Sequence, residues 1–493
     1  MSPSKVLKAA RVGAAHLWWG EESTAGPDSQ ATTTSHGEST SSLRSEPAEL
    51  PSRRTQAVAA ARHHHRVRIH SPTTSDSETV VVETEDGFNK KLVLVCLALA
   101  LVGLCGVLLL LFLIMAARPA KLVYPLVCTV SSTYSGNVNL PRDGLCGYIF
   151  FESLYKGGAN SLVARLSPDV DSFANRARHN TDTEFGMSFA IDNANLLTEY
   201  TTPAFERGLD GLVQKQVIHY GIMDMHLQMT SNATVAMALT ILKRVNDHLA
   251  TTAGTRTRQS LMAIAMALDN TASRTYIVDL IKSIFRPHLF ISMAHISYRD
   301  ADRPDCTILP ASVHHYPSGV QPTYGHTMYL EDEQVFTSMA VGVTMKGRWY
   351  QVSNPASSGS YGLFQSCTTF GESQDFAPAE VCKASTYNSL TRNYDYDRTF
   401  FVGFTYNTST ERVLVFDSKR AIKNKFCDLK QHYMNLKYGV AAYDVEFDAP
   451  RYVCALLGID GPYSRVDVLT RLRDYISQNY TNAASKADCD RIT

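Results

Sequence analysis

The sequence has no excess of either charge: 47 Lys and Arg stand against 47 Asp and Glu over 493 residues. That balance removes the electrostatic case for a nucleic-acid partner. Absent too are a Ser/His/Asp arrangement, a zinc-type histidine spacing and a phosphate-binding glycine loop, so neither a metal nor a cofactor is expected. One stretch, LVLVCLALALVGLCGVLLLLFLIMAA from Leu92 to Ala117, carries no charge at all. As a helix it is about 39 Å long, enough to cross a ~30 Å hydrocarbon core with some tilt. It has no polar face over roughly seven turns, which argues against a buried core helix. The length of chain before it and of its apolar run argue against a cleaved signal peptide.

The two flanks of this span differ. All three N-x-S/T sequons, Asn232, Asn407 and Asn479, follow it. So do eight of the ten cysteines, with Cys96 and Cys105 inside it. An even number of cysteines confined to one side points to disulfides in an oxidising compartment. The basic cluster RHHHRVR, Arg62 to Arg68, lies on the other side. The expectation is a single-pass type II membrane protein of the plasma or secretory-pathway membrane, with a cytoplasmic N-terminus and an extracellular or lumenal C-terminal domain. Residues 1–89 are rich in Ser, Thr and Ala without periodicity and read as a disordered cytoplasmic tail. The histidines His63 to His65 within it imply no fixed metal geometry.

Beyond the span, short apolar runs alternate with helical patterns. Strand candidates are Leu122–Val130, Cys146–Tyr155, Phe185–Ile191, Tyr220–Met229, Gln259–Leu268, His288–Tyr298, Phe336–Tyr350 and Tyr438–Phe447. Helices are predicted roughly over Ala204–Ile218, Ala233–Ala250 and Thr275–Phe285. Apolar strands alternating with amphipathic helices imply a parallel sheet, and eight units suggest an α/β fold of the closed (β/α)8 TIM-barrel type over residues 122–480. An open doubly wound sheet is the rival on pattern alone. Residues 481–493 read as a C-terminal tail.

Four segments carry a resemblance. GVTMKGRWY (Gly342–Tyr350) resembles the GxxxxGR-aromatic strand near the seventh β position of glycoside hydrolase family 18, the chitinase family. AEVC (Ala379–Cys382) is similar to its E-[IV]-C element. VLVFDSKRAIKNK (Val413–Lys425) is similar to its W-V-G-Y-D-D-x-x-S-x-x-x-K stretch, with Asp417 and Lys425 in matching places and Ser418 and Ala421 as departures. YGVAAYDVEFD resembles the eighth strand. The resemblance is clearest from Val341 to Asp448 and collinear from Cys128 onward. It implies a Cys128–Cys146 disulfide; Cys306, Cys367, Cys382, Cys427, Cys454 and Cys489 pair in any of about 15 ways.

The family's fourth strand carries D-G-x-D-x-D-x-E, and YGIMDMHLQM (Tyr220–Met229) is the collinear stretch. Strand alternation puts Asp224, His226 and Gln228 on one face. His226 then stands where the family has Asp, and Gln228 where it has the catalytic Glu. A register shifted by one gives Met223, Met225 and Leu227. In neither register is the acid present. The family's reaction needs a carboxylic acid to protonate the glycosidic oxygen while the substrate's acetamido group attacks. Gln228 has no dissociable proton to give, and loss of a general acid typically forfeits ~10²–10⁴ in rate. Asp444, Glu446 and Asp448 cluster on the eighth strand, where the family's acids are mainly structural. Carried over as carbohydrate-binding candidates are Tyr298 near the sixth-strand tyrosine, Arg348 as the GR arginine, and Tyr443 in place of the eighth-strand tryptophan. The expected protein is an inactive chitinase-like module that binds a glycan or an extracellular protein; the rival is an active glycoside hydrolase on N-acetylglucosamine-containing glycans.

Overall fold

The computed structural model describes residues 87–116 and 124–492, apart from 132–133, 153, 155–161, 164, 227–230, 253–258, 269–270, 296–305, 315–329, 331–332, 355–360, 369–373, 384–386, 450, 452 and 455–457. The chain divides into two units, Met1–Glu85 and Asp86–Thr493. The first, with nearly all of the expected tail, lies outside the described residues.

Helix α1 spans Gly87–Ala116. Among the described residues no helix is long and apolar enough to cross a membrane. In α1 the described side chains are those of 93–109, all exposed, and the rest of the Leu92–Ala117 run lies outside them.

The expected barrel is present. Strands β1 (Leu126–Val130), β2 (Tyr148–Phe151), β3 (Glu184–Ser188), β4 (Val217–Met225), β5 (Met262–Met266), β6 (Leu289–Ser292) and β7 (Ser338–Thr344) lie side by side and parallel. The run Phe336–Tyr350, read as one strand, is two. After β7 the chain leaves the barrel at Lys346, whose N–H donates to Thr344 Oγ1 at 3.1 Å, and begins β8 (Gly347–Gln351). With β9 (Gln374–Phe376), β10 (Asp395–Asp397), β11 (Val402–Asn407) and β12 (Arg412–Phe416), it forms an antiparallel five-stranded sheet that periodicity did not reveal. β13 (Gly439–Tyr443) then closes the barrel between β7 and β1.

Helices α2 (Pro168–Ala177), α3 (Ala194–Glu199), α4 (Pro203–Gln214), α5 (Asn232–Thr252) and α6 (Thr271–Ser283) alternate with the early strands. α7 (Tyr387–Arg392), α8 (Lys419–His432), α9 (Ser464–Gln478) and α10 (Ser485–Cys489) follow. α4 starts with Pro203 in its first turn and Thr202 as N-cap, the Thr202 hydroxyl accepting from Phe205 N–H at 3.3 Å. It stops four residues short of the predicted Ile218. Gln216 turns left-handed at φ 67°, and Val217 and Ile218 enter β4.

Two apolar layers result. Val127, Phe150, Met223, Ala263, Ala265, Leu289, Ile291, Ala340, Ala441 and Tyr443 fill the barrel interior. A larger cluster, including Tyr220, Ile222, Met225 and Met262, packs between strands and helices. Bulky and small side chains interdigitate: a Cβ at Gly186 would collide with the Phe150 ring. The Cys128–Cys146 disulfide forms as expected, and the remaining six cysteines pair as Cys306–Cys367, Cys382–Cys454 and Cys427–Cys489. The last bridge ties the segment 481–493 to α8, with Cys489 fully buried, so this end of the chain is packed rather than a free tail.

Candidate functional site

In (β/α)8 proteins side chains that can do chemistry gather at the C-terminal ends of the strands. There, β4 departs from simple alternation. Its register against β5 shifts between Ile222 and Met225. Met223 packs inside the barrel, whereas Met225 joins the helix-facing layer. The irregularity turns Asp224 toward the mouth, where its charge acts on His295 and Tyr443. His226 follows, 4% exposed. Gln228 and Tyr298 lie outside the described residues.

Tyr443 ends β13 and is fully buried. Its hydroxyl donates to the Met223 carbonyl at 3.0 Å, and its ring centroid lies 4.1 Å from that of His295. Burial pushes the phenol well above its ordinary pKa, reinforced by the carboxylates of Glu152, Asp224 and Asp444. His295 sits just beyond β6, in the MAHISYRD stretch, and carries on the inward alternation of Ile291 and Met293. The alternation that marks His295 is present in the sequence itself. Burial lowers its pKa to about 3; Asp224 opposes that shift, and Lys346 and Arg348 add to it. The ring is therefore neutral near pH 7.

The acids read as part of the eighth strand lie just past β13, at and within a 3-10 turn over Val445–Asp448, and each is held. Asp444 adopts a left-handed conformation, φ 58° and ψ 46°, which Asp tolerates better than most residues. Its N–H donates to Thr129 Oγ1 at 3.2 Å, and its carboxylate accepts from Thr344 Oγ1 at 2.9 Å and pairs with Lys346 at 3.4 Å. Thr129 Oγ1 in turn donates to Glu152 at 3.3 Å. Glu446 accepts from the Ser131 N–H at 2.9 Å and from its hydroxyl. Burial, then the Asp444 charge, raises the Glu446 pKa to about 7. Asp448 pairs with Arg465 at 2.7 Å; Arg465, wholly buried, also donates to the carbonyls of Asp417 and Met345 at 3.1 and 2.7 Å.

Arg348 is on β8, outside the barrel wall. With Thr344, Lys346, Tyr350, Leu309, Ala311 and Val415 it lines a cavity of only about 20 Å³, room for roughly one water. Asp417 and Lys425 form a fully buried ion pair, shared with Ser312. Ser418, the departure from the motif, is the N-cap of α8, accepting from Ala421 N–H at 3.2 Å. Among the described residues no group of three His, Cys, Asp or Glu side chains is arranged to hold a metal. Asn232 and Asn479 are exposed at helix ends, while Asn407 is 8% exposed, its Oδ1 accepting from Ser409 and Thr410 N–H at 2.9 and 3.3 Å.

Solved structures share this architecture. A class V chitinase from Nicotiana tobaccum, in complex with NAG4, superposes with a TM-score of 0.51 at 15% identity, covering 71% of this chain and 98% of that one. The fold is that of the family 18 chitinases. An immunomodulatory active chitinase from Trichuris suis gives 0.52 at 12% identity over 71% and 99% of the two chains. A family GH18 chitinase from Cycas revoluta, in a complex with allosamidin, gives 0.51 at 11% over 70% and 99%. No family model matches the chain, and no curated protein matches it.

Proposed function

We propose that the protein is a membrane-anchored, chitinase-like module without hydrolase activity that presents its barrel as a binding surface for a glycan or a protein. The observation that carries this reading is the bonding of the mouth. The described carboxylates Asp444, Glu446 and Asp448 are each engaged by a neighbouring hydroxyl, amide or cation, and Tyr443 is buried beneath them. In the sequence, Gln228 stands where the family's proton donor would be. A glutamine orients a substrate oxygen but cannot protonate it. Relatives in fold bind N-acetylglucosamine oligomers, as the NAG4 complex records, which favours glycans as the ligand class to test first.

Anchoring rests on the sequence, on the charge-free run Leu92–Ala117. Its described side chains, such as Leu94, Leu99 and Val102, are 68–70% exposed. Four disulfides are the chemistry of an oxidising compartment and support a lumenal or extracellular barrel. Asn232 and Asn479 are the accessible glycosylation acceptors; Asn407, held in its turn, is the poorest of the three.

The test is hydrolysis of chito-oligosaccharides by the full-length protein, where no turnover above a heat-denatured control is expected. Repeated cleavage by the unmodified protein would overturn the reading. Weak activity after His226→Asp together with Gln228→Glu would show that the rest of the catalytic geometry survives.

A further inference from the structure

Away from the mouth, a concavity of about 710 Å³ runs along the outer face of α2 to the end of α4. Arg165, Asn175, Arg176, His179 and Lys215 line it together with Asp171. In a chain of zero net charge this is a local concentration of cations. The acid in it is already matched. Lys215 pairs with Asp171 and, chiefly through that hydrogen bond, holds its carboxyl below the usual range; Arg165 adds to the effect. Asp171 and Lys215 cancel, and the charges of Arg165 and Arg176 remain.

Two of the three cations are held in place, and Arg165 is exposed. Arg176 donates to the Gly136 carbonyl at 3.0 Å, and Lys215 is held by Asp171. Each of these bonds uses one donor, whereas a guanidinium has five and an ammonium three, so N–H groups are left over for a ligand. Asp171 and Asn175, four residues apart, share one face of α2, and His179 lies just past the end of the helix at Ala177. One anchored and one exposed guanidinium, with amide and imidazole donors beside them in a trough, match a chain of sulfate or carboxylate groups better than a single small ion.

The geometry points to this α2 groove as a binding site for an acidic, sulfated polysaccharide. A sulfated glycan is favoured over other polyanions by compartment. Disulfide-bonded domains belong to oxidising spaces, and there nucleic acid is not the prevailing polyanion, while the negative surface potential of anionic lipid belongs to the cytoplasmic leaflet. The site is separate from the barrel mouth and stands whether or not the mouth binds chito-oligosaccharides.

Titration calorimetry on the full-length protein, with a heparin-derived hexasaccharide as the probe, tests it. Binding is expected that weakens with added salt, as screening requires. Arg165→Glu combined with Asn175→Glu, both at exposed positions, should weaken it by about tenfold or more, and Arg165→Ala by a smaller factor. Arg398→Glu, the same charge reversal on the antiparallel sheet, should change it less than about twofold. The proposal is overturned if Arg398→Glu weakens binding as much as Arg165→Glu, or if the hexasaccharide binds no better than inorganic sulfate. Binding only to phosphatidylserine vesicles, or only to chitotetraose, overturns it as well; the chitotetraose result would leave the reading of the mouth intact.

Discussion

The barrel mouth and the α2 groove are both built around charged side chains and use them in opposite ways. At the mouth, Asp444, Glu446 and Asp448 are buried or nearly so and face hydroxyls, amides and cations of the protein itself. In the groove, Arg165, Asn175 and His179 are exposed, while Asp171 is matched by Lys215 and Asn175, and Arg176 donates to the Gly136 carbonyl. Buried polar groups must be satisfied internally, because water is not there to do it. Exposed ones remain available. Carboxylates at the place where a (β/α)8 enzyme keeps its chemistry are therefore not evidence of chemistry; their partners decide.

That contrast is broken most directly at Asp448. Asp448→Ala leaves the Arg465 guanidinium buried without its carboxylate and should cost about 3–5 kcal/mol in chemical denaturation. A loss within experimental error would mean that the acids of this strand are not structural.

Glu446 offers a test through pH. Its folded pKa is raised from 4.5 to about 7, so the folded state holds a proton that the unfolded chain releases. The associated stability is fully present below about pH 4.5 and is lost as pH rises through about 7. Glu446→Gln should flatten that limb, worth on the order of 3 kcal/mol at the upper end, in melts between pH 4.5 and 7.5. An unchanged slope would place this carboxyl in water.

Buried histidines act on the other limb. His314, its Nε2 3.1 Å from the Gly342 carbonyl, is depressed from 6.5 to about 3 by burial and then by the Lys425 charge. Its contribution is intact above pH 6.5 and declines as pH falls toward 3, where the unfolded chain takes up the proton first. At pH 5 the effect is about 2 kcal/mol, and His314→Gln should make the acid limb shallower in the same melts.

Smaller effects sharpen the comparison. Tyr443→Phe removes the bond to Met223 and should cost about 1 kcal/mol in chemical denaturation. In the groove, Arg165→Glu should alter stability by no more than about 0.5 kcal/mol while altering polysaccharide binding. A large stability change there would mean that the groove, like the mouth, is a packing device.

Much of the frame was legible in the sequence, and the reason is local. The apolar runs of β5 and β7 are continuous because both their faces are covered, so they read as parallel strands without any partner in view. The Cys128–Cys146 bridge followed from the family resemblance. The motif residues Asp417 and Lys425 were matched in place, but only the fold shows them as one buried pair. The five-stranded sheet was hidden because β8 continues the pattern of β7 with two residues between them, and no periodicity marks where a chain leaves a barrel. His295 was overlooked, although alternation from Ile291 pointed to it.

The sequence by itself determined the alternation of strands and helices, the charge-free run before them and the even set of cysteines. These are properties of side-chain type and short-range spacing. Tertiary structure alone decided which of about 15 cysteine pairings occurs, that β4 shifts register and brings Asp224 into the mouth, and that Asp444 and Glu446 meet partners 100 and 315 positions away. The physical reason is that desolvation and pairing depend on what surrounds a group in space. Ser131 and Glu446 lie 315 positions apart, and no local pattern records their meeting.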